Sequence, residues 1–190
     1  DIPYIQNIGG MMNITFCGHR EIDGAPALPL LLEQCLRAQL SAGATEFFFG
    51  GNEAFQALAL QKVLALRGQY PAIHTALVLP YLCVKQIPPC YDEIIYPPLE
   101  KVPWRLAILK RDEWLVEHCD LMIAYVTHEW GGAAKMMRFA ERKKKRIISL
   151  GNNAGQAGDH WSPLRGVFPC VCTSSVVGGC CLRQLMSARL

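Results

Sequence analysis

The chain has 190 residues, 51% hydrophobic and 18% charged, with a net charge of +3. That length buries one good core, so one domain is expected, and so mild a basic balance does not by itself indicate nucleic acid. No apolar run is long enough to span a bilayer and none reads as a signal peptide, so no membrane partner is expected.

In chain order, residues 1–11 ("DIPYIQNIGGM") read as a non-native or disordered extension, because "MMN" directly precedes the first strand-like run. That run is "NITFC" (13–17). "PALPLLLEQCLRAQLSAG" carries apolar residues at helical spacing and stops at Gly43. "TEFFFG" (45–50) is the second strand, and "EAFQALALQKVLALRG" is a helix closed by Gly68. "AIHTALVLP" (72–80) is the third strand. "IPPCYDEIIYPP" (87–98) is proline-bounded and irregular, with a short extended piece at "DEIIY". "PWRLAILKRDEWLVEHC" (103–119) is a helix with Pro103 in its first turn. "DLMIAYV" (120–126) is the fourth strand, "GGAAKMMRFAERKKK" a helix and "RIISL" (146–150) the fifth strand. The composition changes after Leu150, and 151–190 reads as a Cys-, Gly- and Ser-rich, poorly ordered appendix.

Strands alternating with helices predict an α/β fold: a Rossmann-like three-layer sandwich over residues 12–150, with a mainly parallel five-stranded sheet. The strands are almost wholly apolar, as strands covered on both faces must be. Ligands of such sheets bind outside the carboxyl ends of the strands, so the residues following each strand are the candidates.

After the first strand come Gly18, His19, Arg20 and Glu21. A glycine there lets backbone approach a ligand, Arg20 can fork onto phosphate or carboxylate, and His19 can donate, accept or stack. A plain turn would use the same residues. After the second strand come Gly50, Gly51, Asn52 and Glu53, opening a helix whose first N–H groups can hold an anion. Asn52 or Glu53 can instead cap that helix, and Glu53 at its start suits a ribose hydroxyl better than a phosphate. Pro80 and Tyr81 follow the third strand. Arg105 stands near the start of the next helix, where it can reach over the sheet edge. Thr127, Trp130, Gly131, Gly132 and Ala133 follow the fourth strand: a hydroxyl, then backbone N–H groups able to cradle a phosphate, with Lys135 one turn in. Neither the P-loop pattern nor the dinucleotide fingerprint is present.

No nucleophile stands in a recognisable setting, and Cys17 reads as core. Acid–base candidates at the sheet edge are Glu21, Glu53, His128 and Glu129, with Glu53 and Glu129 retained as candidate catalytic acids. Of nine cysteines, Cys17, Cys35, Cys83, Cys90 and Cys119 are scattered and read as buried thiols of a reducing compartment, so a cytoplasmic location is expected. Cys170, Cys172, Cys180 and Cys181 lack zinc-site spacing, and neither metal nor cofactor is expected. The basic run "ERKKKR" (141–146) reads as a solvated helix end, with a nucleic-acid patch as the alternative.

Taken together, "TFCGHREI", "FFFGGNEAF", "VLPYL", "YDEIIYPPLEKVPWRLAILKRDEWLVEHCDLMIAYVTHEWGGAAK" and "KKKRIISL" resemble the SLOG superfamily. The branch is one of small, largely uncharacterised bacterial proteins, common in Firmicutes, that resemble the YpsA group. The resemblance covers residues 12–150. It implies a Rossmann-like fold with a pocket for a nucleotide or nucleotide-derived ligand, held by Gly18-His19-Arg20, Gly50-Gly51-Asn52 and Trp130-Gly131-Gly132-Ala133. Relatives of that superfamily include the LOG phosphoribohydrolases, which cleave the N-glycosidic bond of nucleoside monophosphates, and the DNA-processing protein DprA.

Two departures stand out. The loop "GNEAFQ" is one residue shorter than the branch pattern, with Gln56 where an Asp is expected. Arg138 stands where the hydrolases carry a glutamate that contributes to catalysis. The expected function is therefore a sensor or binding module for a nucleotide-like small molecule. An N-glycosidic-bond hydrolase and a DNA-binding protein of DprA type are the alternatives. Nucleic acid is not the expected partner, and a homo-oligomer is left open.

Overall fold

A computed structural model describes residues 12–22, 25–51, 53–82 and 88–151. The extension at 1–11 and residues 152–190 of the expected appendix lie outside that description.

The elements are β1 (Met12–Gly18), α1 (Leu28–Ser41), β2 (Ala44–Phe49), α2 (Ala54–Leu66), β3 (His74–Val78), β4 (Glu93–Ile95), α3 (Trp104–His118), β5 (Leu121–Tyr125), α4 (Gly131–Arg142) and β6 (Arg146–Ser149). They form one sheet in the order β4-β3-β2-β1-β5-β6. Every neighbouring pair is parallel. The sheet thus has six strands where five were expected. The additional strand is the short extended piece at "DEIIY". Three residues are too few to carry a periodic signal, and β4 is held by a side chain instead. The Asp92 carboxylate accepts the Thr75 N–H at 2.8 Å and the Thr75 hydroxyl at 3.0 Å, and it pairs with Arg67. That locks the register Ala76↔Glu93.

Side-chain alternation splits the core into two layers. Phe16, Phe47 and Phe49 join Leu32, Leu36, Phe55 and Val63 under α1 and α2. Cys17, Phe48, Met122 and Ala124 face the other way, against Leu115, Val116, Ala134 and Ala140 of α3 and α4. The Phe16 ring stacks on Phe49 at 5.0 Å and meets Phe55 edge-on at 6.5 Å. Each such ring contributes about 1.5–3 kcal/mol by burial alone, and β1 and β2 lie at the centre of the sheet.

The helix ends follow the punctuation in the sequence. Pro29 opens α1, and Gly43 past its end takes φ +97°, the left-handed conformation that a helix stop requires. Pro103 precedes α3. α3 is apolar on several faces, and Trp104, Leu106, Ile108 and Leu109 remain exposed on it. No helix among the described residues is long and apolar enough to cross a membrane.

This order matters for position. From β1 the chain moves one way to β2 and β3, and later the other way to β5 and β6. The carboxyl ends of β1 and β5 therefore flank the point where the strand order reverses, where an open α/β sheet leaves a crevice.

Candidate functional site

Gly18 and Tyr125 are register partners at the ends of β1 and β5. The loops that follow lean on each other. The Thr127 N–H donates to His19 Nε2 at 3.0 Å, so His19 is neutral at that nitrogen. Burial, and then the His128 charge, hold the His19 pKa below its ordinary value. The His19 ring stacks on His128 at 3.5 Å, and His128 stacks on Trp130 at 3.8 Å. His128 Nδ1–H donates to the Trp130 carbonyl at 3.0 Å.

Gly131 then opens α4 with φ +90°. A Cβ at Gly132 would meet nothing within 4 Å. The first-turn N–H groups of a helix have no intrahelical partner, so this end of α4 is an open donor set. Cys17 reaches it from beneath: its thiol donates to the Ala133 carbonyl at 3.3 Å. Burial, followed by the Glu53 and Asp112 charges, pushes that thiol far above its ordinary pKa. Cys17 is a core group, not a nucleophile.

The loop after β2 is built otherwise. The Gln56 carboxamide oxygen accepts the Gly50 N–H at 2.7 Å and the Gly51 N–H at 3.2 Å. Its nitrogen donates to Glu53 at 3.3 Å. Two loop donors ahead of α2 are thus taken by a side chain. Glu53 is the N-cap residue of α2 but makes no side-chain cap bond. Beneath the loop lies Arg111, only 6% exposed. Its Nε donates to Asp112 at 2.9 Å, and its Nη1 reaches the Val78 carbonyl at 3.4 Å. A Cβ at Gly50 would stand 2.9 Å from Leu115 and 3.0 Å from the Arg111 guanidinium. Burial, and then the Asp112 charge, push the Glu53 carboxyl above its ordinary pKa, against the opposing pull of Arg111, Gln56 and Arg20. Burial pushes Asp112 up as well, opposed by Arg111.

The expected site residues therefore fall into three groups. His19, Thr127, Trp130, Gly131, Gly132 and Ala133 meet at the β1/β5 crevice. Gly50, Gly51 and Glu53 gather after β2, with the Arg20 charge close enough to act on Glu53. Tyr81 and Arg105 stand apart with Pro80 at the end of β3: the Tyr81 hydroxyl donates to the Trp104 carbonyl at 2.6 Å, and the Arg105 guanidinium lies 5.9 Å from the Trp104 ring. No hydrogen bond, ion pair or ring contact among the described residues ties that third group to the other two. Gly18 serves packing, because its Cβ would fall 2.5 Å from Phe55. Asn52 lies outside the described residues.

The candidate acid Glu129 is exposed, and its carbonyl takes the Arg138 guanidinium at 2.8 Å. Arg138, which occupies the expected position of a catalytic glutamate, thus braces the loop. Lys135 faces away, into a groove of about 480 Å³ between α3 and α4 that Leu109, Asp112 and Phe139 also line. The basic run is partly spent on structure at the opposite edge of the sheet. Lys145 Nζ donates to the carbonyls of Glu117 and Cys119 at 2.8 and 2.9 Å, and Lys143 pairs with Glu117 at 2.7 Å. Trp114 stacks on His118 and is not at the crevice.

Sequence reasoning did not bring out Gln56, Arg111 or Asp112 as a unit. One signal was present. Arg111 sits four residues from Ala107 and from Leu115, so an arginine occupies the buried stripe of α3. A charge there requires a partner.

The fold and crevice define a Rossmann-like α/β protein whose polar loops meet at the carboxyl edge of a parallel sheet. No family model and no curated protein matches the chain. By structure it is similar to the molybdenum cofactor carrier protein from Chlamydomonas reinhardtii, with 17% identity, 73% of this chain and 76% of that chain covered, and a TM-score of 0.50. It is also similar to DNA processing protein A from Helicobacter pylori, a single-stranded DNA binder, with 16% identity, 77% and 68% covered, and a TM-score of 0.53. At this identity both likenesses show the fold alone.

Proposed function

We propose that this chain binds a nucleotide or nucleotide-derived small molecule at the β1/β5 crevice, as a sensor or binding module of the SLOG superfamily in a branch resembling the YpsA group. The observation that carries this reading is the open start of α4 at the strand-order reversal. There the first-turn N–H groups have no intrahelical partner and a Cβ at Gly132 would meet nothing within 4 Å, beside a fixed stack of three rings. The similarity to a cofactor carrier supports the same class of ligand.

Thermal shift with AMP, ADP-ribose, NAD and short single-stranded DNA tests it. Stabilisation by a nucleotide, lost in Gly132→Asp, is the expected result. Nucleotide stabilisation that survives Gly132→Asp would overturn the placement of the site.

A second reading is favoured by Glu53, a half-buried acid with a raised pKa held near Arg111 and Asp112. Such a carboxyl can serve an N-glycosidic-bond hydrolase, which must protonate a leaving group or stabilise an oxocarbenium-like centre. Release of free base, abolished by Glu53→Ala, would establish it. Binding of single-stranded DNA alone, weakening with salt, would instead favour the DprA-type alternative.

A further inference from the structure

His128 is the middle ring of a ladder. Its centroid is 3.5 Å from His19 at an interplanar angle of 25°, and 3.8 Å from Trp130 at 12°. Two near-parallel rings that close to one imidazole cannot share a face without overlapping, so they cover opposite faces. One face of the Trp130 indole is therefore covered by His128. The residue is nonetheless 71% exposed, which leaves its other face to solvent.

The indole is not loosely hung. His128 Nδ1–H holds the Trp130 carbonyl at 3.0 Å, Arg138 holds the adjoining Glu129 carbonyl at 2.8 Å, and the Thr127 N–H fixes His19 at 3.0 Å. A large apolar ring held flat in solvent gains little for the fold, and a single flat, electron-rich face suits another flat ring in offset stacking. The open N–H groups of α4 begin at the next residue, Gly131. A planar ring on Trp130 and an anionic group at the helix start can thus belong to one molecule of nucleotide size.

We infer that Trp130 is the stacking platform for the ligand's planar heteroaromatic ring, a nucleobase or fused-ring equivalent. This rests on the reading of the crevice as a nucleotide site and deepens it. The ring has two sources, a free mononucleotide or a base of a single strand.

Calorimetric titration of wild type, Trp130→Ala and Trp130→Phe with AMP, ribose 5-phosphate and a short single-stranded oligonucleotide tests the platform. Wild type binds AMP at least about tenfold more tightly than ribose 5-phosphate. Trp130→Ala brings AMP down to the ribose 5-phosphate level and leaves ribose 5-phosphate unchanged, while Trp130→Phe keeps part of the difference. An oligonucleotide that binds more tightly than AMP, with the same loss in Trp130→Ala, supports the platform and makes the strand its source. Equal AMP affinity in wild type and Trp130→Ala overturns the platform while the nucleotide reading stands. So does an equal loss for ribose 5-phosphate. Failure of wild type to bind any of the three overturns both. A second readout uses a chain with Trp104, Trp114 and Trp161 replaced by Phe, in which AMP, but not ribose 5-phosphate, quenches the remaining Trp130 emission. Unchanged circular dichroism in each variant keeps folding out of the comparison.

Discussion

The loops after β2 and β5 are written almost alike, a glycine pair leading into a helix, yet they are built to opposite ends. At Gly50-Gly51 the backbone donors are occupied by Gln56 and the space beneath is filled by Leu115 and Arg111. At Gly131-Gly132 no side chain caps the helix start, and a Cβ at Gly132 would meet nothing within 4 Å. A glycine pair before a helix thus makes an anion site available without creating one. What fills the donors decides, and that filler is a residue several positions along the chain.

The largest effect that should separate the loops is steric. Gly50→Ala places a methyl 2.9 Å from Leu115 Cδ1 and 3.0 Å from the Arg111 guanidinium, both buried. A loss of about 2 kcal/mol is expected by urea denaturation, since these side-chain ends can shift only within a packed surround. A loss under about 0.5 kcal/mol would show that the β2 loop is as open as the β5 loop.

Gln56→Ala tests the filler itself. It leaves the Gly50 and Gly51 N–H groups without their acceptor, at an expected cost of about 2 kcal/mol. Sulfate added to this variant should restore more stability than it adds to wild type, because the Gly50 and Gly51 N–H groups are then free to hold it. An identical sulfate response in both proteins would remove the parallel between the loops.

Gly131→Ala forces an L-residue to φ +90°, at an expected cost of about 1 kcal/mol. At its neighbour, Gly132→Ala should stay within about 0.5 kcal/mol of wild type, because no atom stands in the way. Equal costs for the two substitutions would mean that the α4 start is not open at Gly132.

The smallest effect is electrostatic. The Glu53 carboxyl is raised above its ordinary 4.5, chiefly by burial. The folded state then holds its proton more tightly than the unfolded state, so this group costs stability as pH rises from the unfolded value through the folded one. Glu53→Gln should therefore match wild type at low pH and gain on it as pH rises above about 4.5. Thermal melts across that range read the divergence, and a loss relative to wild type that grows as pH rises would mean that the carboxyl is stabilised as an anion.

Much of this molecule was legible in one dimension. Apolar runs broken by Gly43, Gly68 and Pro103 set out four helices and five strands, because the periods of 2 and 3.6 and the backbone limits of glycine and proline are local properties. The strand ends, and so the loops carrying Gly18, Gly50, Trp130 and Gly131, followed from the same pattern. The sixth strand was legible as an extended piece at "DEIIY" but not as a member of the sheet, since its register depends on Asp92 reaching Thr75 and Arg67 across the chain. Nor was the division of labour among the loops. Gln56 turning back onto Gly50, Arg111 lying under that loop, His19 and Trp130 covering opposite faces of His128, and Arg138 bracing Glu129 all depend on directions in space that residue spacing does not carry. The sequence by itself determined which elements form and which edge of the sheet collects polar groups. Only the tertiary structure decided which backbone donors at that edge stay open, because each donor's partner comes from wherever packing brings a side chain within hydrogen-bond reach.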